Sequence, residues 1–456
     1  MALTAPAANA ESTTTALPAD PVLARLIEES LAARPELARA EAVVHAQQER
    51  IPQEGALPDP MLQVGVQNDG FTSIEIGRME TSWVSLMASP TFPWPGKRGL
   101  RREVATLGSA QATTQVSRAR LSAEADVRRA YLDLLLARDR LELLGRLEAI
   151  WKQSADVTRI LYDAGKAPQS DLLRSELELA RNKQRRFALE AEERSRIQTL
   201  NRLRNRPLDE PIATSAHIRD LVAPSALGGR FSPEQALARS PELAASRLET
   251  SRASKYVELA QRSYYPDLTV GAGIMGRGSL PPMWLVTVGG PVPVFSGDRQ
   301  SRAVAENRAW DGAARSDVTT LEQIVRLRSE ERRTAFAALL QTIEVYDHGL
   351  LVQSEATASS PLTQYEVGKV TFASVQEANI GLIADSDGYL AAIAAAHRLL
   401  IAEAEVSLSP TAMPSGSLGG QGAMPGAGAP SMDATSAGAA VDSRGAAPTG
   451  GSSSGM

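Results

Sequence analysis

The feature of this sequence that most constrains its fold is an internal duplication. Short motifs of the first half recur in the same order in the second half, roughly 200 residues later. Arg34-Pro35-Glu36-Leu37 corresponds to Ser240-Pro241-Glu242-Leu243. Tyr162-Asp163-Ala164-Gly165-Lys166 corresponds to Tyr365-Glu366-Val367-Gly368-Lys369. Ordered motifs at one spacing indicate two copies of a single structural unit.

Each copy begins with a helix signal and continues with alternating segments. Asp20-Pro21 and Ser232-Pro233 place a capping side chain before a proline in the first helical turn. Apolar residues then alternate with small or polar ones, from Met61 to Gln67 and from Leu268 to Ile274, and a second strand follows each segment. Such segments suit tilted strands with lipid on one face and water on the other. A soluble hairpin would show the same alternation.

The helices predicted after each strand pair are very long. No proline occurs from Gly99 to Leu161, which as a helix would span roughly 90 Å. Apolar residues recur at every seventh position in two offset series, Leu136 to Val157 and Val127 to Leu141. Two such seams let one helix pack against two neighbours, as in a ring of helices. The helix is predicted to turn at residues 164–168 and to return to about residue 205, and residues 299–365 and 374–407 predict a second hairpin.

The predicted organisation has five parts. Residues 1–19 are predicted to be a disordered start or the end of a signal peptide, because Ala8-Asn9-Ala10 fits a cleavage pattern before Glu11. Residues 20–207 form the first repeat, 208–231 a linker and 232–408 the second repeat. Residues 409–456, rich in Gly, Ala, Ser and Pro, are predicted to be a disordered tail. Its methionines could hold Cu(I) or be incidental.

Composition excludes several classes of protein. The absence of cysteine removes disulfides, thiolate metal sites and a lipid anchor at cysteine. A net charge of -5 argues against a nucleic-acid partner. Gly271-x-Gly273-x-x-Gly276 fits a dinucleotide fingerprint by letter, but no helix follows it. The four histidines show no paired spacing, so we predict no metal site, no cofactor and no enzyme activity.

From about Asp20 to Ser407 these features resemble the TolC-like outer-membrane efflux channel family. Pro93-Trp94-Pro95-Gly96-Lys97-Arg98, which runs into an Arg-rich helix, resembles its heavy-metal (cobalt–zinc–cadmium and copper–silver) branch. The resemblance implies a mainly α homotrimer with a transmembrane β part. Long helical hairpins would form a periplasmic α-barrel, and four strands per chain would join one shared outer-membrane β-barrel. It also implies two partners, a periplasmic adaptor (membrane fusion) protein and an inner-membrane resistance-nodulation-division pump.

The same resemblance assigns roles to residues at the hairpin turns. The two tips would dock the adaptor, through Ala164, Gly165 and Lys166 and through Val367, Gly368 and Lys369. Just beyond the second tip, Ser374 and Glu377 would stand at the gate. Three copies of Glu377 around one axis would repel one another and attract cations. Simple helix termination at the tips, and a solvated helix position at Glu377, are the alternatives.

A third group of residues is predicted to lie at the membrane interface. It comprises aromatic residues at matching strand ends and two cations at a helix start: Phe92, Trp94, Lys97, Arg98, Tyr264, Tyr265 and Phe295. Cations are unfavourable at a helix N-terminus, so another partner must favour them. Phosphates of the outer-membrane lipid would do so, and a solvated basic turn is the alternative.

The function expected is that of a passive exit duct for heavy-metal cations, driven by the pump through the adaptor. Export of drugs or other small organic compounds is the alternative within this class. A soluble periplasmic coiled-coil scaffold is the alternative from another class, and membrane fractionation distinguishes the two.

Overall fold

The computed structural model describes residues 20–214, 216–221 and 224–411, which all belong to one structural unit. The predicted start and almost all of the predicted tail lie outside these residues. Among the described residues, no helix is both long enough and apolar enough to cross a membrane.

Both halves contain two helices, two main strands and a long helical hairpin in the same order. The first half contains α1 (Pro21–Ala33), α2 (Pro35–Gly55), β1 (Met61–Gln67), β2 (Trp83–Ser89), the short β3 (Thr91–Phe92), α3 (Lys97–Asp163) and α4 (Gln169–Leu203). Two 3-10 turns, Ile218–Asp220 and Pro224–Arg230, lie in the segment between the halves. The second half contains α5 (Pro233–Arg239), α6 (Pro241–Arg262), β4 (Leu268–Arg277), β5 (Leu280–Gly289), α7 (Gln300–Val345), α8 (Leu351–Glu366) and α9 (Phe372–Glu405).

The helix starts follow the predicted signals. Asp20 accepts a hydrogen bond from the N–H of Val22 at 2.9 Å, and Ser232 accepts one from the N–H of Gln235 at 3.4 Å. Each cap precedes a proline that needs no hydrogen-bond partner in the first turn. The two halves thus begin with the same local chemistry.

Strands from both halves of the chain form one antiparallel sheet. β1 pairs with β2, β2 pairs with β4 of the second half, and β4 pairs with β5. The two hairpins therefore join through β2 and β4, and β1 and β5 are left with one partner each among the described strands. An edge strand with free backbone groups favours pairing with another chain.

Helix α3 is the main packing partner of the other helices. Its first half is flanked by α2 and α6, as the ion pairs Arg120–Glu41 and Lys255–Glu103 show. Its second half is flanked by α4 and α9, with Arg138–Glu193 and Arg140–Asp387 as examples. One helix thus contacts different neighbours along its length, in agreement with the two apolar seams.

The largest apolar core surrounds the middle of α3. Tyr131, Leu132 and Leu134 are fully buried there, together with Leu26 of α1 and Ile218 of the connecting segment. Fully burying a side chain of this size stabilises a fold by about 1.5–3 kcal/mol. This core joins α1, α3, α4, α9 and the connecting segment.

The two long hairpins differ in one respect that the sequence did not predict. α3 is continuous over 67 residues. The corresponding helix of the second half is interrupted by a π-helical segment, Tyr346–Leu350, between α7 and α8. A π segment inserts an extra residue into a helical turn and is commonly found at functional positions.

Candidate functional site: hairpin tips, inner helix face and sheet ends

The two hairpin tips have the same backbone structure. At the first tip, Gly165 has φ +68° and donates its N–H to the carbonyl of Tyr162, while Lys166 donates to Leu161. At the second tip, Gly368 has φ +72° and donates to Tyr365, while Lys369 donates to Gln364. This is the Schellman motif, in which glycine takes the left-handed position that ends a helix.

Both tip glycines face open space. A Cβ placed on either glycine would meet nothing within 4 Å. Within this chain, the positive φ is therefore sufficient to explain why glycine occupies both positions. Val367, at the second tip, is exposed. The tips are thus accessible turns, and their assignment to adaptor docking stays a prediction.

The second tip is attached to the first hairpin through Tyr365. Its hydroxyl donates to a carboxylate oxygen of Asp171 in α4, with 3.1 Å between the two oxygens. Its ring lies in a buried cluster with Trp151 of α3 and Phe372 and Val375 of α9. Burial, followed by the Asp171 carboxylate, raises the pKa of Tyr365 to about 12. The hydroxyl is therefore protonated, and able to donate, at physiological pH.

Sequence reasoning missed this contact. Tyr365 belonged to the motif that revealed the duplication, but its equivalent Tyr162 is 40% exposed. The motif alone does not show that only one of the two tyrosines packs between hairpins. The acidic residue Asp171 in the first turn of α4 was the available signal.

The predicted gate residues lie on the first two turns of α9, on the face opposite its buried side. Phe372, Val375 and Asn379 point into the fold, whereas Ser374 and Glu377 are exposed. Together they line a shallow groove against Ser354 and other residues of α8. The spacing of three residues places Ser374 and Glu377 side by side on one helix face. The groove is an open surface of this chain, and its position in an assembly stays a prediction.

The aromatic residues predicted for the membrane interface lie at the end of the sheet. Trp94 stacks on Tyr265 with ring centroids 5.1 Å apart, and Phe92 pairs with Leu268 in the sheet. Tyr264 and Phe295 are exposed. Amphipathic aromatic rings at strand ends are typical of membrane–water interfaces.

Lys97 and Arg98 have partners within the chain. The Lys97 ammonium lies 2.7 Å from Asp267 and 2.8 Å from the carbonyl of Tyr265, and it is buried. The Arg98 guanidinium donates to the carbonyl of Gly55 at 2.6 and 2.9 Å. Asp267 therefore supplies a counter-charge for Lys97 at the start of α3. Their placement at the interface stays a prediction.

One histidine is brought to a pair of acidic residues that the spacing in sequence did not suggest. Nδ1 of His217 lies 2.7 Å from Asp139 and 3.6 Å from Glu142. The second oxygen of Asp139 accepts the N–H of Ile218 at 2.8 Å. Both carboxylate oxygens of Asp139 thus hold the connecting segment against α3. We interpret His217 and Asp139 as an ion pair in which Asp139 also caps the 3-10 turn that begins at Ile218.

The sheet has two chemically different faces. One face carries exposed aliphatic side chains on every strand, such as Val64, Leu86, Ile274 and Val286. The other face carries small or polar residues, such as Gln63, Ser85 and Gly273. An exposed apolar surface of this kind indicates contact with lipid or with another protein.

The comparison with known proteins decides the family. The model of the family described as outer membrane efflux protein matches residues 26–206 and 232–406, one match for each copy of the repeat. The chain belongs to the outer membrane efflux protein family. This membership places it among channels instead of enzymes.

Individual relatives of this outer membrane efflux protein agree with that assignment. The nickel and cobalt resistance protein CnrC of Cupriavidus metallidurans is 26% identical over 322 residues, which cover 70% of this chain and 74% of CnrC. The solved structure of the outer-membrane channel OprN superposes with a TM-score of 0.72 at 18% identity, covering 85% of this chain and 90% of that one. A structure of CusC, described with conformational changes in folding and transmembrane channel formation, gives 0.73 at 16% identity, covering 86% and 93%.

The open state of the MtrE outer membrane channel of Neisseria gonorrhoeae has the same fold. It superposes with a TM-score of 0.70 at 16% identity and covers 85% of this chain and 89% of that one. At such low identities the structural likeness establishes the fold: long helical hairpins with a sheet of four main strands.

Proposed function

We propose that this protein is the outer-membrane exit duct of a tripartite efflux system and that its substrates are heavy-metal cations. The observation that carries the proposal is the two-faced sheet of a chain that belongs to the outer membrane efflux family. Its apolar face suits lipid, and its polar face suits a water-filled passage. The metal substrate is supported by the likeness to CnrC, a nickel and cobalt resistance protein.

Three copies of the chain assemble in this proposal. The edge strands β1 and β5 each have one partner within the described sheet, so β5 of one chain can pair with β1 of the next. Closing the sheet in this way removes the free edges that a membrane does not tolerate. The long helices extend the passage into the periplasm.

The hairpin tips and the groove beside them control access in the same proposal. The open glycine turns meet the periplasmic adaptor, which links the duct to an inner-membrane pump. Glu377 and Ser374 line the entrance. The Tyr365–Asp171 hydrogen bond holds the second hairpin against the first and so favours the closed arrangement.

Deletion of the gene, followed by growth on a panel of metals and drugs, tests the substrate. We expect sensitivity to metal cations only, restored by a plasmid copy of the gene. Sensitivity to organic compounds alone would show that the duct serves small organic molecules. Membrane fractionation tests the location, because a barrel protein requires detergent for extraction, and recovery in the soluble fraction would contradict an outer-membrane duct.

A further inference from the structure

Four of the five methionines among the described residues lie on strands of the sheet. Met61, Met87, Met275 and Met283 each lie on a different strand, β1, β2, β4 and β5. The long helical segments, residues 93–267 and 290–411, contain no methionine. Methionine is a common residue for filling helical cores, so this distribution is unexpected for a mainly helical protein.

The strand register places all four methionines on the same face of the sheet. Met275 is directly opposite Met283 on β5 and opposite Ser85 on β2. Residues that face each other in an antiparallel pair have Cβ atoms about 4.5–5.5 Å apart on one side of the sheet. Met275 and Met283 are therefore neighbours.

The other two methionines continue the same line. Met87 is opposite Gly273, two residues along β4 from Met275, and it is also opposite Gln63 of β1. Met61 is two residues along β1 from Gln63. Diagonal neighbours of this kind lie about 7–8 Å apart, within reach of long side chains. The four thioethers thus form a continuous diagonal across the four strands, which we call the methionine diagonal.

The methionine diagonal lies on the face of the sheet that carries mainly small or polar residues, with Leu285 of β5 beside it, opposite Gly273. Glycine leaves room for it: a Cβ on Gly273 would lie 3.0 Å from Cβ of Met87, and one on Gly271 would lie 3.6 Å from its sulfur. Met87 and Met275 also line a common cavity with Ser85. Met61 is 68% exposed. Met87, Met275 and Met283 are half-buried, so none of the four methionines is fully enclosed by packing.

Methionine is the principal metal-ligating side chain of these strands. The sequences of β1, β2, β4 and β5 contain no Asp, Glu, His or Cys. Thioether sulfur is a soft ligand and selects soft monovalent cations such as Cu(I), whereas Mg²⁺ and similar hard ions need oxygen ligands. Several weak thioether sites in a row let an ion bind and leave repeatedly, as conduction requires.

We propose that the methionine diagonal is a binding path for soft monovalent metal cations, Cu(I) or Ag(I), on the water-facing side of the sheet. This proposal rests on the proposed function, since it specifies the class of metal that the duct would carry. No covalent or redox step is involved, because the ion exchanges one set of thioether ligands for the next.

Silver ion is the probe, because it is soft, monovalent and stable in air. The full-length protein is purified in detergent and dialysed against Ag(I) in nitrate buffer, and the bound metal per chain is measured. The test variant carries Met87→Leu, Met275→Leu and Met283→Leu, which conserve side-chain volume and apolarity. We expect it to bind fewer silver ions per chain than the wild type. Met61 and the methionines outside the diagonal are present in both proteins and give the same background.

The matched control is Met79→Leu, because Met79 lies between β1 and β2 and outside the diagonal. It should bind silver as the wild type does. Equal silver binding by the triple variant and the wild type, with both folded by circular dichroism, would overturn the proposal. Failure of the proposed function would be seen in a different experiment. Deletion of the gene would then leave metal resistance unchanged, whatever the purified protein binds. Ni²⁺ in the same dialysis should not distinguish the two proteins.

Discussion

The hydroxyl group of Tyr365 can be removed without changing the volume of its ring. Tyr365→Phe deletes the hydrogen bond to Asp171, which joins α8 to α4, and leaves the ring packed against Phe372 at 5.6 Å. The side chain of Tyr365 is 7% exposed, so the hydrogen bond is partly shielded from water. The variant therefore isolates one contact between the two hairpins.

The size of the effect follows from the charge of the acceptor. A hydrogen bond to an ionised group contributes about 1.5–3 kcal/mol. Asp171 is half-buried, so we take the lower end, about 1.5 kcal/mol, which is about a tenfold change in an equilibrium constant. If the bond favours the closed arrangement, Tyr365→Phe should increase the open-to-closed ratio of each chain by about tenfold.

Single-channel recording in planar bilayers measures this ratio. Tyr162→Phe is the matched control, because Tyr162 occupies the equivalent position at the first tip and is 40% exposed. Asp171→Asn alone and combined with Tyr365→Phe completes a double-mutant cycle. Equal opening of Tyr365→Phe and Tyr162→Phe, or additive effects in the cycle, would refute the reasoning.

Three further predictions concern the tips, the gate and the connecting segment. The double variant Gly165→Asn, Gly368→Asn keeps the left-handed turns, which asparagine tolerates, but adds a side chain at each tip. We expect it to lose export while it still forms trimers on native gels, and normal export would contradict docking at the tips. Glu377→Ala should lose cation preference in reversal-potential measurements, and an unchanged reversal potential would exclude it from the gate. The hydrogen bond to Asp139 raises the pKa of His217 above its ordinary value of 6.5. Protonated His217 therefore stabilises the fold fully below pH 6.5, and this contribution is lost as pH rises through the pKa of the folded state. Thermal melts of His217→Gln at several pH values should lack this pH dependence.

Local features of the sequence predicted local structure well. The continuous helix to Asp163, the strand Met61–Gln67 and both glycine turns follow from proline placement, alternation and glycine position. Those signals extend over a few residues, so one chain segment is enough to reveal them. Membership of a TolC-like family is likewise confirmed, by the family match to both repeats.

Contacts between distant segments were not predictable in the same way. Lys97 and Asp267 are 170 residues apart, and Asp171 and Tyr365 are 194 residues apart. The sequence supplied the charge at the start of α3, but not the identity of its partner, because that depends on which helices become neighbours. The site roles of the tips and of Glu377 stay predictions for the same reason, since they depend on other chains.

We expect the interruption at Tyr346–Leu350 to make the two hairpins respond differently to force. The first hairpin has one unbroken helix, α3, which connects its tip directly to the core around Tyr131. The second hairpin is interrupted by a π segment, a type of irregularity that is frequent at functional positions. We therefore expect that a partner docked on both tips, as proposed, would displace the second tip more easily than the first.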